Sequence, residues 1–402
     1  MSATLSASTP GRVRLYDVDW LRVLAILLIF VYHAARPFDT LEPWHIKDSQ
    51  TAGWMVYPMV AGSQFMMPLF WVMSGISTRF ALGAHAAGEF VRRRLLRLLV
   101  PVVTLGWFVL SPPQVYIEAT TAQGYNAPPF SGTFWQFLPH YFTDGFYGFG
   151  GYFAWNGMHL WYLVYLLLFT LLSLPLFLYL RSAAGRKVVD ALARFLVRPG
   201  AIYLLGLLAF VPEVFLPRGI PVLTWTEGGW TLGAHWVFLI LGFFVVCDPR
   251  LRPAIERQRW VALLLAVATL APLGFLAPTI DSLPFGSLTY ILEWGLRTIN
   301  GWFWLVAILG FGSRHLNFTT AGLARAGAAV LPFYILHQPI IVVLDYFVRD
   351  WAIPVGLKYP LMILAVFAIF ALLYELLIQR IPALRLVFGL EPGPARLRET
   401  TR

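Results

Sequence analysis

Long, uninterrupted apolar runs recur along this chain at intervals that suit helices crossing a hydrocarbon layer about 30 Å thick. They fall at about 18–36, 55–80, 96–112, 158–180, 200–216, 230–247, 260–277, 288–311, 327–347 and 359–379. The runs are continuous rather than alternating, which argues against a transmembrane β-barrel. Hydrophobic residues make up 58% of the 402 positions and charged residues only 12%, far from the balance of a soluble domain. The expected fold is all-α and polytopic, with about ten transmembrane helices.

The placement of basic residues orients these helices. With the N-terminus inside and the loops assigned alternately, 23 of the 30 Lys and Arg residues fall on the cytoplasmic side. Arg36, Lys47, Arg218, Arg349 and Lys358 fall outside, and Arg22 and Arg297 lie within spans. That asymmetry follows the positive-inside rule and predicts an even number of spans with both termini cytoplasmic, in the plasma (bacterial inner) membrane. Orientation in the bilayer accounts for the net charge of +10 without nucleic acid as a partner. Residues 1–15 are polar and lack an apolar core, so no cleavable signal peptide is expected. The lone cysteine, Cys247, excludes an internal disulfide and shows no metal-ligand spacing; neither a metal nor a permanently bound cofactor is expected.

Without a visible repeat, the chain reads as one integral domain over 14–380 with cytoplasmic tails at 1–13 and 381–402. Two outer connections, 37–54 and 112–157, break the short-loop pattern. The second is rich in Gly, Pro and aromatics, which suits either a folded cap over an outward-facing cavity or a segment lying in the interface.

The first span carries Arg22 and His33, eleven steps apart. Eleven turns of about 100° return to nearly the same azimuth, so both side chains project from one face, about 16 Å apart along the axis. A guanidinium and an imidazole in hydrocarbon are costly unless they face a protein interior or a wet cavity. The bland alternative is a bonded histidine and a snorkelling arginine. Arg92, Arg93, Arg94 and Arg97 precede the third span. They serve topology, or they form a phosphate clamp in which Arg94 and Arg97 share a face. Ser74-Gly75 in the second span suits close helix packing, and Ser74 can bond a carbonyl. Glu293, Arg297 and Asn300 line one face of the eighth span, where Glu293 and Arg297 have the spacing of a structural ion pair. His159 (beside Trp161), His235 and His337 add further imidazoles to the interior, and such groups suit proton transfer near neutral pH.

Taken together, these residues resemble the acyltransferase-3 family of integral membrane acyltransferases, in particular its glucan biosynthesis protein C-like members. The likeness rests on Asp19-Trp20-Leu21-Arg22 with His33, Ser74-Gly75, and the Arg-rich segment through Arg97-Leu98-Leu99-Val100-Pro101. His159-Leu160-Trp161 and Leu336-His337-Gln338-Pro339 complete it. Ile76 departs from the Phe that many members carry after Ser-Gly. The resemblance implies acyl-CoA as cytoplasmic donor, a hydroxyl of an outer-face carbohydrate as acceptor, and an essential His33. Arg22, Arg92, Arg93, Arg94 and Arg97 would then hold the CoA phosphates, with Ser74, His159, Trp161, Glu293, Arg297 and His337 near the substrates. His33 would deprotonate the acceptor or carry the acyl group transiently. The rival reading is a secondary transporter or flippase for a sugar or lipid-linked substrate, which also uses intramembrane Arg, His and Glu.

Overall fold

The computed structural model describes residues 15–41, 43–121, 125–216, 226–276 and 283–390. Arg12, Arg14, Arg218, Arg396, Arg398 and Arg402 lie outside them. The described chain is mostly helical. Five helices are long and apolar enough to cross a membrane: α1 (Tyr16–Ala35), α2 (Gly53–Ala84), α3 (Ala87–Thr120), α9 (Ala321–Val348) and α10 (Val355–Ile378). A sixth candidate, α4, is a pair, Met158–Leu172 and Leu174–Arg181, bent by 51°. Pro175 opens the second half, where its missing N–H is tolerated. The runs expected near 200–216 and 230–247 form shorter apolar helices, α5 (Ala201–Phe215) and α6 (Leu232–Phe244). Those near 260–277 and 288–311 lie within the long helices α7 (Leu251–Leu276) and α8 (Leu288–His315).

The third span departs from its expected bounds. It begins at Ala87, so the arginines stand on the helix itself rather than ahead of it. Pro101 explains how it continues: its ring crowds the carbonyl of Arg97 and it offers no N–H, and the helix answers with wide π turns over Leu95–Leu99 and Val102–Leu110. Residues expected in the C-terminal tail also join the bundle. Pro382–Val387 form a short helix, Phe388 is buried, and Gly389 packs against the Arg97 carbonyl.

α7 lies along α8, α6 along α2, and α1 along α9. The second contact depends on two glycines. A Cβ on Gly75 would stand 2.1 Å from the Leu239 carbonyl oxygen, and one on Gly242 would stand 2.1 Å from that of Val72. Ser74-Gly75 therefore serves packing through its glycine, as in other close helix pairs.

At the C-terminal end of α3, residues 125–158 fold as a cap whose apolar core includes Phe137, Tyr141, Tyr147 and Tyr152 with Val115 of α3. The helix Phe134–Thr143 starts with a capping box between Thr133 and Gln136. Residues 37–41 and 43–54 pack beneath it, burying Phe38, Trp44 and Ile46.

Gly75→Ala and Gly242→Ala should each cost about 1–3 kcal/mol, the usual range for overpacking. A lower melting midpoint of the detergent-solubilised protein checks this; an unchanged midpoint in both variants would contradict the contact.

Candidate active site

His33 stands two residues before the C-terminal end of α1, half-buried, and its ring lies nearly parallel to that of His337, with centres 5.1 Å apart and 8° between planes. Their closest atoms are Nδ1 of His33 and Nε2 of His337, 2.9 Å apart. The hydrogen positions follow from the next partner along. Nδ1 of His337 lies 2.7 Å from the Tyr334 carbonyl oxygen and 3.3 Å from that of Phe333. Carbonyl oxygens only accept, so Nδ1 of His337 carries the proton. In the neutral ring Nε2 of His337 is then the acceptor, and Nδ1–H of His33 donates to it. This leaves the lone pair of His33 on Nε2, for which no partner is found among the described residues. That nitrogen is a base set in place by a second histidine.

The third imidazole is placed by a proline. Pro339 cannot bond the Ile335 carbonyl within α9. Nε2–H of His159 takes that oxygen instead, at 3.0 Å. Tyr334 donates its hydroxyl to the His159 carbonyl, and the rings of His159 and His337 meet edge to face at 5.5 Å. Nδ1 of His159 is buried without a hydrogen-bond partner.

A polar track leads from these histidines toward the N-terminal end of α1. Tyr162 faces Tyr334 with ring centres 5.9 Å apart and donates to the Phe70 carbonyl at 3.2 Å. Ser74 Oγ, 2.5 Å away, therefore donates to the Tyr162 hydroxyl. One turn further on, Ser77 and Thr78 give their protons to the Met73 and Ser74 carbonyls, each at 2.7 Å. Their oxygens are thus left to accept from arginines: Arg22 bonds Ser77 at 2.8 Å and Arg94 bonds Thr78 at 2.6 Å. Arg97, Arg22 and Tyr162 all lie within electrostatic reach of Arg94. Three cations at one end and a histidine base at the other are joined by hydroxyls.

The structure brings together Arg22, His33, Ser74, Arg94, Arg97, His159 and His337. It does not bring the rest. Arg92 and Arg93 turn to the exposed side and pair with Glu89 at 3.0 and 2.7 Å, because one carboxylate at i−3 and i−4 reaches both. Trp161 stacks on His235 at 5.7 Å rather than on any of the three histidines of the site. Arg297 lies over the faces of Trp230 and Trp294, bonds the Gly229 carbonyl, and meets Glu213 at 4.0 Å. Glu213 lies on α5, so spacing within α8 pointed instead to Glu293, whose Oε2 is buried without a hydrogen-bond partner. Asn300 ties α8 to α7 through the Ala266 carbonyl at 2.7 Å. Tyr162, Tyr334, Ser77 and Thr78 were missed: hydroxyls on apolar helices carry little signal until their partners are known. Among the described residues no cluster of His, Cys, Asp or Glu could hold a metal ion.

The acyltransferase domain model of the acyltransferase-3 family matches residues 15–375. The chain belongs to the acyltransferase-3 family. Curated relatives named "Glucans biosynthesis protein C" from Salmonella paratyphi B, Salmonella dublin and Salmonella gallinarum are each 22% identical over 390 residues. Each match covers 94% of this chain and 95% of the relative. No solved structure matches. Membership makes this a membrane acyltransferase, and the transporter reading falls with it.

His337 touches His33 through the one ring nitrogen it orders, so replacing it tests whether that order matters. His337→Leu removes the acceptor for Nδ1–H and frees His33 to put its proton on Nε2, so the acyl-transfer rate should fall at least ~10-fold, below the ~10²-fold of a full acid–base group. His337→Gln offers an amide oxygen in its place and should recover part of the loss. Equal rates for wild type and His337→Leu at equal thermal stability would remove the dyad.

Proposed function

We propose that this chain takes an acyl group from acyl-CoA at the cytoplasmic face and passes it to a hydroxyl of a glucan at the outer face of the plasma membrane. It would do so across ten spans with both termini inside. The observation that carries the reading is the unpaired Nε2 of His33, fixed as a lone pair by His337, at the outer end of a track that begins in arginines. The asymmetry of basic residues supports the orientation, and the names of the Salmonella relatives support a glucan acceptor.

Arg22, Arg94 and Arg97 would hold the phosphates of CoA bidentately, with the pantetheine arm lying along Ser77, Thr78 and Ser74. Nε2 of His33 takes the proton of the acceptor hydroxyl as its oxygen attacks the thioester carbonyl. The carbon–sulfur bond then breaks, and Nε2–H returns the proton to the departing thiolate. An oxygen ester and free CoA result. Arg92 and Arg93, committed to Glu89, have no part in this.

His33→Gln should keep its fold and insertion while losing about 10²-fold or more in rate. Purified protein in nanodiscs, supplied with acetyl- or succinyl-CoA and gluco-oligosaccharides and followed by thiol release, checks this. A folded His33→Gln variant that transfers at near wild-type rate would remove the base, and acyl label found on His33 would replace it with a covalent carrier. Transfer should also fall as pH is lowered, because only the unprotonated nitrogen can accept a proton.

Phosphate clamping is mostly uniform binding, which is read in KM rather than kcat. Arg94→Ala and Arg97→Ala should each lose roughly 1.5–3 kcal/mol of donor binding, the range for charged hydrogen bonds. Arg92→Ala should lose almost none. Calorimetry with acyl-CoA that ranks the three alike would reduce the cluster to a topology signal. Reporter fusions after Lys47, Asp144 and Lys358 should read outside, and those after Arg186 and Arg396 inside.

A further inference from the structure

Beyond the histidine dyad lies a histidine–carboxylate pair, His45 with Glu118, at the cap. Glu118, at the outer end of α3, is 1% exposed, and its carboxylate accepts four hydrogen bonds. The amides of Asn126 and Ala127 reach Oε1 at 2.7 Å each. Oε2 accepts from Nδ1 of His45 at 2.7 Å and from the Tyr147 hydroxyl at 2.8 Å. Burial and the adjacent carboxylate push the Tyr147 phenol well above its ordinary range, so it stays a donor. Nδ1 of His45 is committed to Glu118, and no partner for its Nε2 is found among the described residues. His45 is 7% exposed, and Nε2 is the one ring nitrogen left open to a ligand from outside the chain.

Its position gives that capacity a use. Trp44 lies between the two pairs, stacked on His33 at 6.2 Å and set against His45 at 5.1 Å. Tyr125 meets His45 edge-on at 5.2 Å and is exposed on the cap. A line of aromatic faces therefore runs from the cap surface to the candidate base. Nearby cations are already engaged: Asp39 takes Arg36 at 2.9 Å and Lys47 at 2.7 Å, and Lys47 also donates to the carbonyls of Arg36 and Asp39. An exposed aromatic face, a directed imidazole and cations that are already bonded suit an uncharged polyhydroxyl ligand better than an apolar chain.

We propose that Trp44, Tyr125 and the His45–Glu118 pair form a glycosyl-binding subsite next to His33. There the exposed Tyr125 ring stacks on the C–H face of a pyranose, Nε2 of His45 bonds one of its hydroxyls, and the buried Trp44 carries the packing from His45 to His33. The subsite rests on the acceptor being a carbohydrate. It gives that acceptor a register, holding one sugar on the cap side while a neighbouring hydroxyl reaches His33. His45 is a positioning residue, and Glu118 fixes its tautomer.

His45→Asn separates binding from folding. The asparagine amide stands near the place of Nδ1 and can keep the bond to Glu118, but it puts nothing at Nε2. The full-length protein in nanodiscs is titrated with gluco-oligosaccharides of four to eight units, and acyl-CoA turnover is measured alongside by thiol release. Oligosaccharide affinity should fall at least ten-fold in His45→Asn, and the acceptor KM should rise to match, with the acyl-CoA KM and melting midpoint unchanged. Equal affinity in wild type and His45→Asn would overturn the subsite, as would a wild type that binds no oligosaccharide. If His45→Asn loses its fold, Tyr125→Leu decides, since Tyr125 is exposed at the far end of the line from His33. It should weaken the sugar at least three-fold, and an unchanged affinity would overturn the proposal. Oligosaccharide binding without acyl transfer would refute the proposed reaction and leave the subsite standing.

Discussion

The hydrogen bond between Nδ1 of His33 and Nε2 of His337 joins α1 to α9 and fixes the tautomer of His33. An imidazole inside a bundle can place its lone pair on either nitrogen, and only a partner of known polarity decides between them. Here the decision begins in the backbone of α9. The carbonyl of Tyr334 orders His337, and His337 orders His33. The same helix supplies the Ile335 carbonyl that Pro339 leaves open for His159. A short stretch, Tyr334 to Pro339, therefore sets three imidazoles at once.

Bringing hydroxyls and cations into such an interior is costly wherever a group is left without a partner. Ser77 and Thr78 solve this locally. Each spends its proton on a carbonyl one turn back and turns its oxygen to an arginine. The wide turns of α3 around Pro101 and the glycine contact of α2 with α6 set how closely those helices approach. Packing and site chemistry are thus one problem. Gly75 adjoins Ser74, so a shift of α2 at the glycine moves the hydroxyl that meets Tyr162.

Much of this was legible in the sequence, and what was hidden has physical reasons. The apolar runs announced a helical membrane protein, and the eleven-step spacing set Arg22 and His33 on one face of a single helix. His159 and His337 stood out as imidazoles in apolar surroundings. What a helical period cannot show is a partner on another helix. That is why Arg297 pointed to Glu293 rather than to Glu213, and why Arg92 and Arg93 were grouped with Arg94. Trp44, His45 and Glu118 were hidden more deeply, because the first two lie in a long connection and the third reaches them only when the cap folds. Spacing within one helix is local information; a dyad or a cap is not.

The central claim concerns a proton and can be read directly. Nitrogen-15 NMR of protein labelled in its histidine rings, with His33 assigned by its loss in His33→Gln, reports which nitrogen carries hydrogen. A neutral His33 ring with Nδ1 protonated and Nε2 bearing a lone pair at neutral pH is the result predicted. A ring protonated on Nε2 alone, or on both nitrogens, would contradict the account.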